Sequence, residues 1–392
     1  MRLVTIILFN LFFCFSSFSS KLISEKLVAA NSYYNVNLPP FSYFTDSSPK
    51  VDHSGNIVFD FYTIDSGSVV HGILYFEESL NKTRPLVLID NSEIINHVSF
   101  SKKSDMQSSS DEIIFATHDG GAFKGLYRQT IDSTRNNYSK ITLPKDDYLA
   151  ISTSSFFDDH SAVRLNDSKK RKLILINDQG FKTIAKEGED GVNFIHSPKL
   201  EGNYILYKLR YGQRGSYSSD DKERLILSNT SNLNSTVILS NDGEFDRLEN
   251  MYNVNKKGNV VAFVRKNQQN FIVANLNGKM KVVLDLKNNP LIGRVDLFTP
   301  AINEKGHILI RGYDRNGNAG LFLYKDNKWS ELIKEGHELT HQNTVYKLSK
   351  SSTGQMIKGS VDFNNNGNVV FNTFLSVDET ILEGIVTLTY SE

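Results

Sequence analysis

An all-β fold, a seven-bladed β-propeller of four-stranded antiparallel blades, is predicted from three features of the sequence. A polar turn ending in Gly, followed by a β-run, returns at intervals of roughly fifty residues, the mark of an array of similar units. Seven segments match one another as the strand that follows that run. The last unit lacks its outermost strand, and a segment near the N-terminus resembles the missing piece.

The chain opens on Met1–Ser20, where Arg2 precedes the apolar run Leu3–Phe15 and small residues follow at Ser16, Ser17 and Ser19. That order is the pattern of a removable signal peptide, and the apolar run is short for a membrane span, which needs about 20 residues. Residues 21–392 are then expected to form one propeller domain with no integral membrane segment. The destination is periplasm, cell surface or medium. Cys14 is the single cysteine, so the mature chain has neither disulfides nor thiolate chemistry, which fits a bacterial exported protein.

The repeated phrase is clearest at Val51–Phe59, Val254–Val261 and Ile302–Leu309, where Gly55, Gly258 and Gly306 end the turns. Lys199–Leu206 and Phe363–Val370 carry it with Gly202 and Gly367. In the first unit Ile57–Tyr62, His71–Phe76 and Pro85–Asp90 read as strands, and Ile95–Phe100 leads into the next turn. Val, Ile, Leu, Phe and Tyr fill these runs and Asn, Asp, Ser and Gly bound them, which is strand-and-turn chemistry. Two units, at Glu112–Phe115 and Ala162–Leu165, have lost the Gly turn. The seventh unit stops at Tyr390, and Lys21–Val28 reads as the strand that completes it. Closure of this kind leaves no open blade edge to pair with another chain, so a monomer is expected.

The turn-and-strand phrase resembles that of TolB-type and WD40-like repeat proteins, with Asn255–Gly258 and Asn303–Gly306 where that family has an Asp-Gly turn. The resemblance implies a fold and no particular activity. With Trp329 as its one tryptophan, the chain lacks the Trp-Asp pairs, quinoprotein docking motifs and sialidase boxes of sister propellers.

Lys plus Arg equals Asp plus Glu, at 44 each, so no global field favours nucleic acid. The run Lys169–Lys172 reads as solvated loop charge. Propeller ligands meet loops at the mouth of the channel, and the loops after the first strand of each unit lie on one rim. The longest, Tyr211–Lys222, carries Arg214, Tyr217, Asp220 and Asp221, and Asp314–Asn318 adds Arg315. Aromatic and Arg side chains give large, directional contacts, so Tyr211, Arg214, Tyr217, Asp314 and Arg315 are the expected binding residues.

His337-Glu338-Leu339-Thr340-His341 matches a zinc-protease pattern, but that chemistry needs a helix, and the segment follows a strand. Asp362-x-Asn364-x-Asn366-Gly367 matches half a calcium loop, yet Thr373 stands where the bidentate Glu belongs, and Gly367 recurs at the repeat position. No Gly-x-Ser-x-Gly elbow and no phosphate loop is present. No catalytic residue, metal ligand or cofactor is therefore assigned. The expectation is a non-enzymatic exported scaffold binding a protein or glycan through one rim. The alternative is a propeller glycoside hydrolase or polysaccharide lyase with acid and base groups at the channel mouth.

Overall fold

The computed structural model describes residues 22–31, 36–45, 48–90, 93–101, 112–119, 122–143, 150–157, 160–166, 170–177, 180–213, 218 and 220–391. The expected signal peptide lies outside the described residues. The described strands form seven antiparallel sheets, six of them following the chain outward from an inner strand and the seventh taking its outermost strand from the N-terminal segment. The segments that the sequence marks as first, second and third in each unit are the second, third and fourth strands from the axis. The run that leads into each Gly turn is the inner strand.

Blade 1 runs Lys50–Val51, Ile57–Asp65, Ser68–Glu77 and Lys82–Asp90, with Ser42–Phe44 as a second piece of its inner strand. Blade 3 runs Ala150–Phe157, His160–Asn166, Arg171–Asn177 and Gly180–Lys186. In blade 4 the inner strand is split into Val192–Ile195 and Lys199–Glu201, followed by Tyr204–Tyr211, Lys222–Asn229 and Ser235–Ser240. Sheet faces bury against the neighbouring blades, so the apolar core is a set of layers between blades. Val261 and Phe263 of blade 5, for example, pack in one cluster with Ile308, Ile310 and Phe322 of blade 6. No helix among the described residues is long and apolar enough to cross a membrane.

Asx chemistry explains why the repeat is Asn-x-x-Gly. Asn255 Oδ1 accepts the amide N–H of Lys257 and Asn259, Asn303 Oδ1 those of Lys305 and His307, and Asn364 Oδ1 those of Asn366 and Asn368. The side chain thus closes its own turn, as Asn and Asp do where the backbone must reverse sharply. The following Gly takes a positive φ, +79° at Gly367, where a Cβ would also stand 2.6 Å from the Tyr390 carbonyl oxygen. The same carboxamides link blades. Asn255 Nδ2 donates to the Asn303 carbonyl and Asn364 Nδ2 to the Asp52 carbonyl of blade 1.

The ring closes as the sequence predicts. Leu22–Ala30 pairs antiparallel with Thr380–Tyr390, from Leu22 opposite Tyr390 to Ala30 opposite Gly384, and so becomes the outer strand of blade 7. Leu27, Val28, Ala29 and Ala30 are fully buried. Asn31 exchanges hydrogen bonds with the Glu383 backbone at one end, and Lys26 Nζ donates to Glu78 of blade 1 at 2.9 Å. At the other side Glu25 lies 2.5 Å from His337 Nε2.

Two metal-like motifs resolve as structure. Glu338–His341 is a strand paired with Thr344–Ser349, so His337 and His341 are separated by about 13 Å along an extended backbone, too far to share one zinc. At the calcium-like turn, Asn364 Oδ1 is taken by its own turn, and Asp362 Oδ2 accepts the Val51 amide at 3.1 Å.

Candidate functional site

The two mouths of the channel differ. On the Gly-turn side the described residues enclose a cavity of about 100 Å³, lined among others by His53, Glu201, Asn255, Lys256, Glu304 and Asp362. Lys256 Nζ stands 3.6 Å from Glu304, and the Asn oxygens here are committed to their turns.

The opposite mouth is built differently where blades 3 and 4 meet. Phe194, on the inner strand of blade 4, is half-buried, and three guanidinium groups surround its ring. Arg171 is centred 4.1 Å from the ring centroid, Arg210 5.2 Å and Arg164 5.9 Å. A cation over an aromatic face is attracted by the ring quadrupole, more so when water is excluded. Lys208 lies fully buried on the same strand as Arg210.

Three carboxylates hold three of these cations. Glu187 accepts both from Arg171 Nη1 at 2.6 Å and from the Arg171 amide at 2.9 Å. Glu223 accepts from Lys208 Nζ at 2.9 Å, and Asp221 stands 3.4 Å from Arg210 Nε. Asn193 bridges the last pair, accepting from Arg210 Nε and donating to Asp221. Arg164 donates to the Ile195 carbonyl at 2.9 Å. Burial and the neighbouring Arg171 hold Arg164 below its ordinary range, while Glu187 and Tyr252 act the other way.

His196 follows Phe194 on the same wall, their ring centroids 4.6 Å apart. Its Nε2 is buried and has no hydrogen-bond partner among the described residues. Burial first, then Lys208, Arg164, Arg210 and Arg171, push its pKa down to about 2, so the ring is neutral. Because the folded value lies below the unfolded one, its stability contribution is complete above pH 6.5 and is lost as pH falls below that. Denaturant unfolding of wild type and His196→Asn at pH 7 and pH 5 checks this. Wild type should lose about 2 kcal/mol more than the variant over that interval, the linkage expected of one histidine that stays neutral. His71, His118 and His341 are lowered by burial too and act alike in both proteins.

The residues singled out in the sequence fall in two places. Tyr211 ends the second strand of blade 4, beside the cluster, and Arg224 lies over its ring at 5.1 Å. Arg214 and Tyr217 lie outside the described residues. Asp314 and Arg315 belong to blade 6. Asp314 Oδ1 accepts the amides of Asn316 and Asn318, and Arg315 donates to the carbonyls of Leu286 and Asn289. No hydrogen bond, ion pair or ring contact among the described residues joins this pair to Tyr211. Sequence reading passed over Arg164, Phe194, His196, Lys208 and Arg210. It also took Arg171 for a solvated loop charge, whereas Glu187 and Phe194 hold it. One signal was available: Lys208 and Arg210 occupy alternate positions of a strand whose counterparts in blades 1, 2 and 5 are mainly apolar.

The chain matches no protein family and no curated protein. Among solved structures it is similar to the β-propeller domain of the trilobed protease from Pyrococcus furiosus, at 10% identity and TM-score 0.57, over 90% of this chain and 95% of that one. An oligogalacturonate lyase in complex with manganese aligns equally well, at 10% identity and TM-score 0.57, over 95% and 98%. The polysaccharide lyase Uly1 aligns at 11% identity and TM-score 0.53, over 91% of each chain. The β-propeller fold expected from the repeat holds. The protease domain is described as having an open velcro topology, whereas here the first strand is seated in the last blade.

Proposed function

We propose that this chain is an exported binding ring that takes an acidic glycan at the mouth between blades 3 and 4. One observation carries the reading: an aromatic face ringed by three guanidinium groups, beside a neutral histidine whose Nε2 is unsatisfied. Guanidinium forks match carboxylates bidentately. The overall charge balance supports a local, chemically specific contact rather than general polyanion attraction. Tyr211 borders this mouth, and Arg214 and Tyr217, which follow it in the sequence, are proposed to supply further contacts. Asp314 and Arg315 are secondary candidates on the same rim.

The second reading is a polysaccharide lyase, and His196 favours it. In β-elimination a neutral base removes the C5 proton next to a uronate carboxylate while cations neutralise the charge that develops there. The C4–O glycosidic bond breaks as C4=C5 forms, and the departing oxygen takes a proton from the protonated base or from water. A bound carboxylate would offset the cations that depress His196 and raise its basicity. One of the similar structures is an oligogalacturonate lyase and another a polysaccharide lyase, which suits this reading as well as the first.

A panel of acidic and neutral oligosaccharides tests both. Binding confined to uronate-bearing members, weakened by salt, is expected, and retention of neutral members alone would refute the proposal. Ultraviolet absorbance from a new C4=C5 double bond would decide for the lyase, provided His196→Asn abolishes it while binding persists.

A further inference from the structure

The interface between blades 2 and 3 is apolar through its middle and changes character toward the Gly-turn side. Blade 2 runs Glu93–Ser101, Glu112–Asp119, Ala122–Thr130 and Tyr138–Lys140. Its Ile114, Ala116 and Leu126 pack with Val163, Leu165 and Ile174 of blade 3 in one buried cluster. Strand register then sets one further row on each of the two facing sheets. On blade 2 Ile114 pairs with Arg128 and Arg128 with Ser139; on blade 3 Ser161 pairs with Ile176 and Ile176 with Phe181. Ser161 is 2% exposed and Phe181 55%, so the second row runs from the core out to solvent.

Between these rows lies a cavity of about 620 Å³. Small-molecule sites span roughly 300–1,000 Å³ and combine apolar walls with a few placed polar groups. Here the walls are Ile141 and Leu143, just after the outer strand of blade 2, and Ile176 and Phe181 of blade 3. Arg128 and Lys140 also line it, and among the described residues no carboxylate does. Arg128 Nε is buried 3.5 Å from Glu112 without a hydrogen bond, and the two Nη groups make none among the described residues. The hydroxyl of Ser161, on the opposite wall, likewise has no hydrogen-bond partner there. An apolar cleft that ends in a guanidinium fork and a buried hydroxyl complements an anion with an apolar body. The walls take the body out of water, and the fork pairs with a carboxylate head.

We infer that this cavity binds an amphipathic monocarboxylate, its head on Arg128 and Ser161 and its apolar body among Ile141, Leu143, Ile176 and Phe181. The site is separate from the mouth between blades 3 and 4. Arg171 begins the strand Arg171–Asn177 and Ile176 stands one residue from its end, so the two sites lie toward opposite ends of that strand. The inference does not depend on the glycan reading.

Isothermal titration of the full chain with sodium octanoate, and with octanamide and acetate as its uncharged and bodiless counterparts, tests it. Saturable octanoate binding is expected, at least tenfold tighter than either counterpart and undiminished by an excess of oligouronide. Phe181→Asp should weaken it at least tenfold, and so should Arg128→Gln/Glu187's analogue here, the paired Arg128→Gln/Glu112→Gln, which strands no carboxylate. A loss in either variant supports the inference. No saturable octanoate binding, equal affinity for octanamide, displacement by oligouronide, or unchanged binding in both variants would overturn it. Phe181 is exposed and the pair is removed together, so both variants should melt like wild type. If they do not, methyl resonances of the wild-type chain decide: octanoate-induced shifts at Ile141 and Ile176 support the site, and their absence overturns it.

Discussion

Deleting Leu22–Ala30 should abolish cooperative folding at ambient temperature. Leu27 and Val28 are each at most 1% exposed, and their removal uncovers Ile385, Val386 and Leu388, which are no more exposed. Full burial of one such side chain contributes roughly 1.5–3 kcal/mol, so five of them approach the whole net stability of an ordinary domain, about 5–15 kcal/mol. The strand pairing that runs from Leu22 to Ala30 is lost as well, leaving Thr380–Tyr390 as a long apolar edge, a template for association. Size-exclusion chromatography and thermal melts check this: the truncated chain should elute as aggregate or melt without a single sharp transition. Val28→Ala is the mild counterpart and should cost about 2 kcal/mol with the fold intact. A truncated chain that melts as sharply as wild type would mean that the ring does not need its closing strand.

Lys208→Met should be the most costly single substitution near the candidate site. Lys208 and Glu223 are 2% and 6% exposed, and the ammonium donates to Glu223 at 2.9 Å and to the Leu248 carbonyl at 2.7 Å. Glu223 also accepts the Leu248 amide. Removing one member of a buried pair leaves an uncompensated charge, a loss of about 3–5 kcal/mol, whereas replacing both by apolar residues is often near neutral. Lys208→Met with Glu223→Leu should therefore recover most of the loss in denaturant unfolding. If the double variant were as unstable as the single one, the pair would not be a coupled ionic unit. The bond to the Leu248 carbonyl is lost in both variants, and the bond from the Leu248 amide to Glu223 in the double variant alone; these set the remainder.

Much of this fold could be read from residues. Asn255, Asn303 and Asn364 repeat because each closes its own turn, and a side chain with a local task leaves a local signature. The closing strand was visible because the seventh unit ends at Tyr390 with its outer strand missing. The split inner strands were not visible, since pieces as short as Lys50–Val51 and Ala301–Ile302 carry no periodicity. The site was harder still. Arg164, Arg171, Phe194 and Arg210 come from different strands of two blades and meet only when the ring forms. Asp314 and Arg315 are the opposite case: their loop was conspicuous in the sequence, but the bonds that Asp314 makes within the turn and Arg315 makes to its neighbour were not.

The most direct measurement is calorimetric titration of wild type and Arg171→Gln/Glu187→Gln with an oligouronide and with its neutral counterpart. The paired substitution removes the cation stacked on Phe194 without stranding Glu187, and equal melting temperatures would certify the fold. A hydrogen bond to a charged group contributes about 1.5–3 kcal/mol, so the variant should bind the oligouronide roughly ten- to a hundredfold more weakly. Wild type should ignore the neutral sugar. Equal affinity for the oligouronide in both proteins, or no binding by wild type, would contradict an acidic-glycan site between blades 3 and 4.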